Sequence, residues 1–172
     1  MPGNVCLVSV DGTDFRIPEP TPFSAKWWSH KYNGPAIRHE IAICIQTGHI
    51  VWTHGPFPCG EWSDIRIARD ALIPSLDLNE MFVADEGYLD GNGRAITPNL
   101  FGGLWGHVMS VVRGRHETVN GRFKCSNILS RTFRHDRRLH GSVFRAVAVL
   151  TQLAIENGEP LFEVVYNENV AF

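Results

Sequence analysis

The chain has 172 residues, of which 44% are hydrophobic and 20% charged, with a formal charge of -2: the profile of a globular chain able to bury one sizeable core. No apolar run approaches the roughly 20 residues that a helical membrane span needs, so a membrane partner is not expected. The cysteines, Cys6, Cys44, Cys59 and Cys125, are scattered without a CxxC pair or a secretory signal, which argues against a disulfide framework or zinc knuckle and for reduced thiols inside the cell.

Residues 5–10, VCLVSV, read as a buried strand, and DGTDFRI continues it past Gly12, a glycine expected to weaken or bulge it. Strand alternation puts Leu7, Ser9, Asp11, Thr13 and Phe15 on one side and Val8, Val10, Asp14 and Arg16 on the other. Asp11 and Asp14 then face apart. Asp11 is the candidate for chemistry, and Asp14 is expected to be a turn or surface acid. Residues 18–35 carry Pro18, Pro20, Pro22 and Pro35 and read as a connecting loop with exposed aromatics, Trp27, Trp28 and Tyr32, among Lys26, His30 and Lys31. Such aromatics either pin the loop or stack on bases.

Residues 38–45, RHEIAICI, and 49–53, HIVWT, flank Thr47-Gly48 and predict an antiparallel hairpin next to the first strand. His49 and His54 have opposite parity, which speaks against a histidine metal site. After a rigid Gly-Pro loop over 55–60, Ser63 is expected to cap a helix over 64–76, with Ile65, Ala68 and Leu72 at helical spacing and a break near Pro74. Asp64, at that helix start, is expected to play a structural role as a capping acid.

Residues 81–88, MFVADEGY, form a short apolar run that ends on Asp85, Glu86 and the turn residue Gly87. A buried strand delivering a carboxylate at its C-terminal end is how open α/β sheets present catalytic acids. Residues 89–107 read as a glycine- and asparagine-rich loop able to act as a flap. From 108 to about 129 a helix is expected, with Val108, Val112, Val119 and Phe123 on one side and Arg113, Glu117, Asn120 and Lys124 on the other. Gly114 and Gly121 weaken it by about 1 kcal/mol each relative to alanine, so a break at either is open. Residues 131–140 are a basic connection, Ser142 is expected to cap a second helix to about 157, and 161–166 to form a last strand or a docking tail.

Charge is distributed unevenly: acids outnumber bases eight to two over 61–90, and bases outnumber acids nine to two over 113–145. That pairing suits a polyanion held near metal-binding carboxylates. A glycosidase built on two acids has no use for the basic flank. Three strands, a helix, a strand bearing Asp85 and a helix bearing Glu117 give the element order of a ribonuclease H-like α/β domain, a mixed sheet flanked by helices, here one domain over 1–172. Carboxylates on Asp11, Asp85 and Glu117 would suit two hard cations about 4 Å apart.

VDGTDFRI, the stretch GPFPCGEWSD over 55–64, ADEGY and RHETVNGRFK resemble the motifs of the DDE superfamily endonuclease domains of Harbinger-like eukaryotic transposases, over nearly the whole chain. Matched to that family's triad, the metal-binding and catalytic residues are Asp11, Asp85 and Glu117. The resemblance implies hydrolysis and strand transfer on DNA with two Mg2+ or Mn2+ ions, in the nucleus. Arg113, Asn120 and Lys124, beside Glu117, are expected to position phosphate. The helix-turn-helix segment such transposases carry is expected to be missing, so sequence-specific binding is not expected of this chain alone; a separate DNA-binding protein and a homodimer are the further candidate partners. The alternative is an inactive or domesticated module that binds DNA or protein.

Overall fold

The computed structural model describes residues 4–89, 93–100, 103–165 and 169–170. Apolar and β-branched stretches form the two longest strands, β1 (Asn4–Arg16) and β3 (Gly34–Cys44), which pair antiparallel. β2 (Trp28–Ser29) and β4 (Ile50–Pro58) pair with β3, also antiparallel. β5 (Glu80–Val83) runs parallel to β1, and β6 (Ala95–Ile96) runs parallel to β5. β7 (Asn169–Val170) pairs with the start of β1. Among the described residues this is a mixed sheet of seven strands.

Helices flank the sheet. On one face lie α1 (Asp64–Ile67), a π-helical turn (Ala68–Leu72) and α2 (Ile73–Ser75), packed through Ala68 and Leu72 on Val10, Ala42 and Phe82. On the other lie α3 (Gly103–Cys125) and α5 (His140–Glu156), joined through α4 (Asn127–Ser130), with Val119, Phe123 and Phe144 on Phe15, Ile41 and Ile43. Residues directly opposite in a ladder share a face. Asp11 opposite Ile41 and Thr13 opposite His39 therefore look toward α3 and α5, whereas Gly12 opposite Glu40 and Asp14 opposite Arg38 look toward α1.

Several expectations are corrected here. β1 passes through Gly12 without a break, because its ladder with β3 is continuous from Val8 to Arg16. The irregularity lies instead between Cys6 and Val8, where β1 meets β5; it turns Cys6 into the core and leaves Leu7 exposed. The loop before the long helix contains β6, and α3 starts at Gly103 rather than 108. α3 carries Gly114 and Gly121 without a break, since the fully buried Val112, Val119 and Phe123 offset their cost, at about 1.5–3 kcal/mol for each large apolar side chain. It ends at Cys125, not near 129, and α4 follows. α5 begins at His140, so Ser142 lies inside it and caps nothing. Of the two alternatives for 161–166, strand or docking tail, residues 161–165 take the second, with Leu161 docked into the core cluster, and residue 166 lies outside the described residues.

Candidate active site

The parallel ladder between β1 and β5 sets Ser9 beside Val83. Two residues further along each chain stand Asp11 and Asp85. β1 continues through this point while β5 stops, and Asp85 caps a 3-10 turn (Glu86–Tyr88), its Oδ1 accepting the Gly87 N–H at 2.8 Å. The two carboxylates are close enough to feel each other. Burial pushes Asp11 up to about 6; the Lys31 ammonium opposes this, and the charges of Asp85 and Asp64 add to it.

α3 closes the site from above the sheet. Asp11, Ser110, Arg113, His116 and Glu117 line one cavity of about 180 Å³. Asp85, Glu86, Gly87, Asn99 and Arg113 line a second of about 330 Å³. Arg113 belongs to both, with its Nη2 3.8 Å from Asp85 Oδ2. His116 fixes the helix to the sheet: its Nε2 lies 2.9 Å from Ser9 Oγ, and burial lowers it to about 3, so it is neutral. Glu117 is the next residue, exposed at the cavity mouth.

The opposite face of β1 holds a second set of charges that sequence patterns did not assign. Asp14 is buried, not a turn or surface acid: Arg38 donates to it through Nε at 2.7 Å and Nη2 at 3.0 Å, and Ser29 donates at 2.6 Å. These bonds hold Asp14 below the usual carboxylate range despite the opposing effect of burial. Arg38 also stands 3.0 Å from Asp64 Oδ1. Asp64 therefore does not act as the cap expected of it. Its carboxylate leans on Gly12, where an added Cβ would come within 2.3 Å of Oδ1. Burial, opposed by Arg38 and Lys31 and reinforced by Asp85, pushes Asp64 up.

Glu40, opposite Gly12, is fully buried, and neither oxygen has a hydrogen-bond partner among the described residues. The Tyr88 hydroxyl faces it without reaching hydrogen-bond geometry. Burial pushes Glu40 up to about 8, so it is neutral at pH 7. Lys31 donates to the Gly12 carbonyl at 2.9 Å and supplies positive charge to both faces. No family model, curated protein or solved structure matches the chain.

Of the residues singled out in the sequence, Asp11 and Asp85 are neighbours through strand register, and Glu117 shares the Asp11 cavity. Arg113 bridges the two cavities. Asn120 turns its Oδ1 into the protein, where it finds no partner among the described residues. Lys124 lies elsewhere, in a groove with Arg16 and Tyr32. The donor set is oxygen only, which suits Mg2+ or Mn2+ rather than a soft metal, and a cation would stabilise the Asp11 carboxylate against the burial that raises it and the charges of Asp85 and Asp64 that add to this. Among the described residues, no three His, Cys, Asp or Glu side chains stand close enough to hold one ion.

Arg38, Glu40, Lys31 and His116 were missed. Arg38 and Glu40 had a signal: in RHEIAICI they are the charged residues of one parity in a strand otherwise buried on both faces. A glutamate in such a strand must find a counter-charge or give up its own.

Proposed function

We propose that the chain is a metal-dependent phosphodiester endonuclease of the DDE type acting on DNA, with a ribonuclease H-like fold. The observation that carries this reading is the β1–β5 register, which makes Asp11 and Asp85 neighbours, with Glu117 of α3 lining the Asp11 cavity. The strand path β4-β3-β1-β5-β6, antiparallel as far as β1 and parallel beyond it, supports the fold assignment, because it follows the element order from which that fold was inferred.

Asp11, Asp85 and Glu117 are the residues that would hold the cations. Bound divalent ions would supply Lewis acidity at a phosphoryl oxygen and lower the pKa of an attacking water. The chain itself does the rest. Arg113, set between the two cavities, attracts a phosphate and offsets its charge beside Asp85. His116 holds α3, and with it Glu117, at a fixed height over β1. Lys31 keeps Asp11 from rising further and so keeps it available as an anion at neutral pH.

A second reading is a non-catalytic module that binds nucleic acid or protein. It is favoured by Arg113 and Lys31, which already balance the charge of Asp85 and Asp11. Incubation of supercoiled plasmid with Mn2+, Mg2+ or EDTA separates the two. The nuclease nicks with metal, not with EDTA, and loses the activity in Asp85→Asn; absence of nicking with either metal leaves the second reading.

A further inference from the structure

Several basic residues around and beyond Glu117 are engaged within the fold, and others are not. Arg115 is buried and donates to the carbonyls of Ile45 and Phe162, tying the C-terminal tail to the turn that follows β3. Arg122 donates to the carbonyl of Glu159, and Arg138 is paired with Asp136 at 2.6 Å. These three are engaged within the fold. Arg16, Lys124, Arg131 and Arg134 are exposed, and none has a carboxylate partner among the described residues.

These four cations are gathered in one place. Arg131, Arg134, Thr132 and His135 line a groove of about 550 Å³. Arg16, Tyr32, Lys124, Arg131 and Thr132 line a neighbouring groove of about 530 Å³. Arg131 and Thr132 belong to both, so the two grooves adjoin. Arg16 and Lys124 even share one ring, 4.7 Å and 6.0 Å from the centre of Tyr32. Like charges collected without an acid repel one another, and a polyanion is what such a surface complements.

We infer that this double groove binds the phosphodiester backbone of a nucleic acid, as a surface distinct from the carboxylate cavity. It shares its ligand with the nuclease reading but does not depend on cleavage. Lys124 follows Glu117 by two turns of α3, about 10 Å, which is close to three base-pair steps of roughly 3.4 Å along a duplex axis. A backbone at the mouth of the carboxylate cavity reaches the groove about three nucleotides further on. Three of the four cations are arginines, whose planar guanidinium matches phosphate with paired hydrogen bonds. Tyr32 is half-buried, gives its hydroxyl proton to the Asp14 carbonyl and is already covered by two cations, so it does not offer a stacking face to bases. Binding is therefore insensitive to sequence.

The test is the affinity of the full chain, in EDTA so that nothing is cut, for a labelled 30-base-pair duplex and a 30-nucleotide single strand over a KCl series. The triple variant Lys124→Ala, Arg131→Ala, Arg134→Ala should bind more weakly and flatten the log–log salt slope, by about 0.9 per lost contact on duplex and about 0.7 on single strand. The larger loss identifies the preferred form. Arg66→Ala, an exposed cation on the α1 side, is the control and leaves the slope unchanged. A parent chain that binds neither nucleic acid at low salt, a slope that the triple variant does not change, or equally strong competition by poly-glutamate would overturn the inference. Plasmid nicking with Mn2+ decides the nuclease reading independently: a groove-dependent slope without nicking keeps this surface and removes the nuclease, and nicking with an unchanged slope does the reverse.

Discussion

Replacing Arg38 with methionine keeps the aliphatic stem and removes the charge on which Asp14 depends. Asp14 has a fully buried side chain and Arg38 is only 11% exposed, so water cannot take over the interaction. Removing one partner of a buried pair costs about 3–5 kcal/mol, because the remaining charge is left uncompensated. For a chain of this length that lowers Tm by roughly 6–20 °C. The pH dependence is the sharper signature. In the parent, Asp14 lies below its ordinary 3.8, so its contribution to stability is present above pH 3.8 and is lost as pH falls through its depressed value. In Arg38→Met, burial acts with less opposition and raises Asp14 above 3.8; the contribution is then present below pH 3.8 and lost as pH rises through the raised value. Asp64, already pushed up in spite of Arg38, moves the same way. The stability gap between parent and variant should therefore widen from acid toward neutral pH, at up to about 1.4 kcal/mol per pH unit for each proton involved. Urea unfolding from pH 4 to 8 measures it. A gap below about 1 kcal/mol that stays constant with pH would refute the reasoning.

Four further outcomes are expected. Glu40→Gln should remove a fall in stability with rising pH: a carboxyl at about 8 when folded and near 4.5 when unfolded favours the fold below pH 4.5 and loses that contribution up to about pH 8, and urea titrations at pH 6 and 9 measure the difference. Lys31→Met should raise Asp11 above its value of about 6, read by carboxyl-carbon NMR; an unmoved titration would remove Lys31 from the site. Gly12→Ala should cost about 1–3 kcal/mol by pressing its Cβ on Asp64, and less in an Asp64→Ala background, as a double-mutant cycle will show. Mn2+ should raise the melting temperature of the parent, by the equivalent of about 2.7 kcal/mol at a hundredfold excess over Kd, and Asp85→Asn should lose most of that rise.

Much of the frame was legible because its signals are local. The parity of Ser9, Asp11, Thr13 and Phe15 survives in the structure, as does the hairpin of β3 and β4 beside β1. Asp85 at the end of a buried strand was readable from the break between MFVA and DEGY. What escaped depends on partners distant in sequence. Asp14 looked like a surface acid because its ligands, Ser29 and Arg38, come 15 and 24 residues later. Asp64 looked like a cap because a helix start is visible in the chain and a bare glycine across the sheet is not. The start of α3 was misplaced because residues 89–107 read locally as a glycine- and asparagine-rich loop, and the break left open at Gly114 or Gly121 does not occur because the burial that outweighs local glycine propensity is not itself local.

The parallel neighbour of β1 also bears on how the molecule assembles. Ser9 and Val83 are 74 residues apart in the chain, whereas the β1–β3 ladder joins residues separated by 20 at its near end and 36 at its far end. Contacts of short separation close sooner, so the three-stranded meander can assemble while Asp11 and Asp85 are still far apart. Their mutual repulsion is met only when β5 slots in beside β1. Relieving it with Asp85→Asn should thus slow unfolding and leave refolding nearly unchanged in a chevron plot, which places the electrostatic strain of the acidic pair at the closing stage of folding.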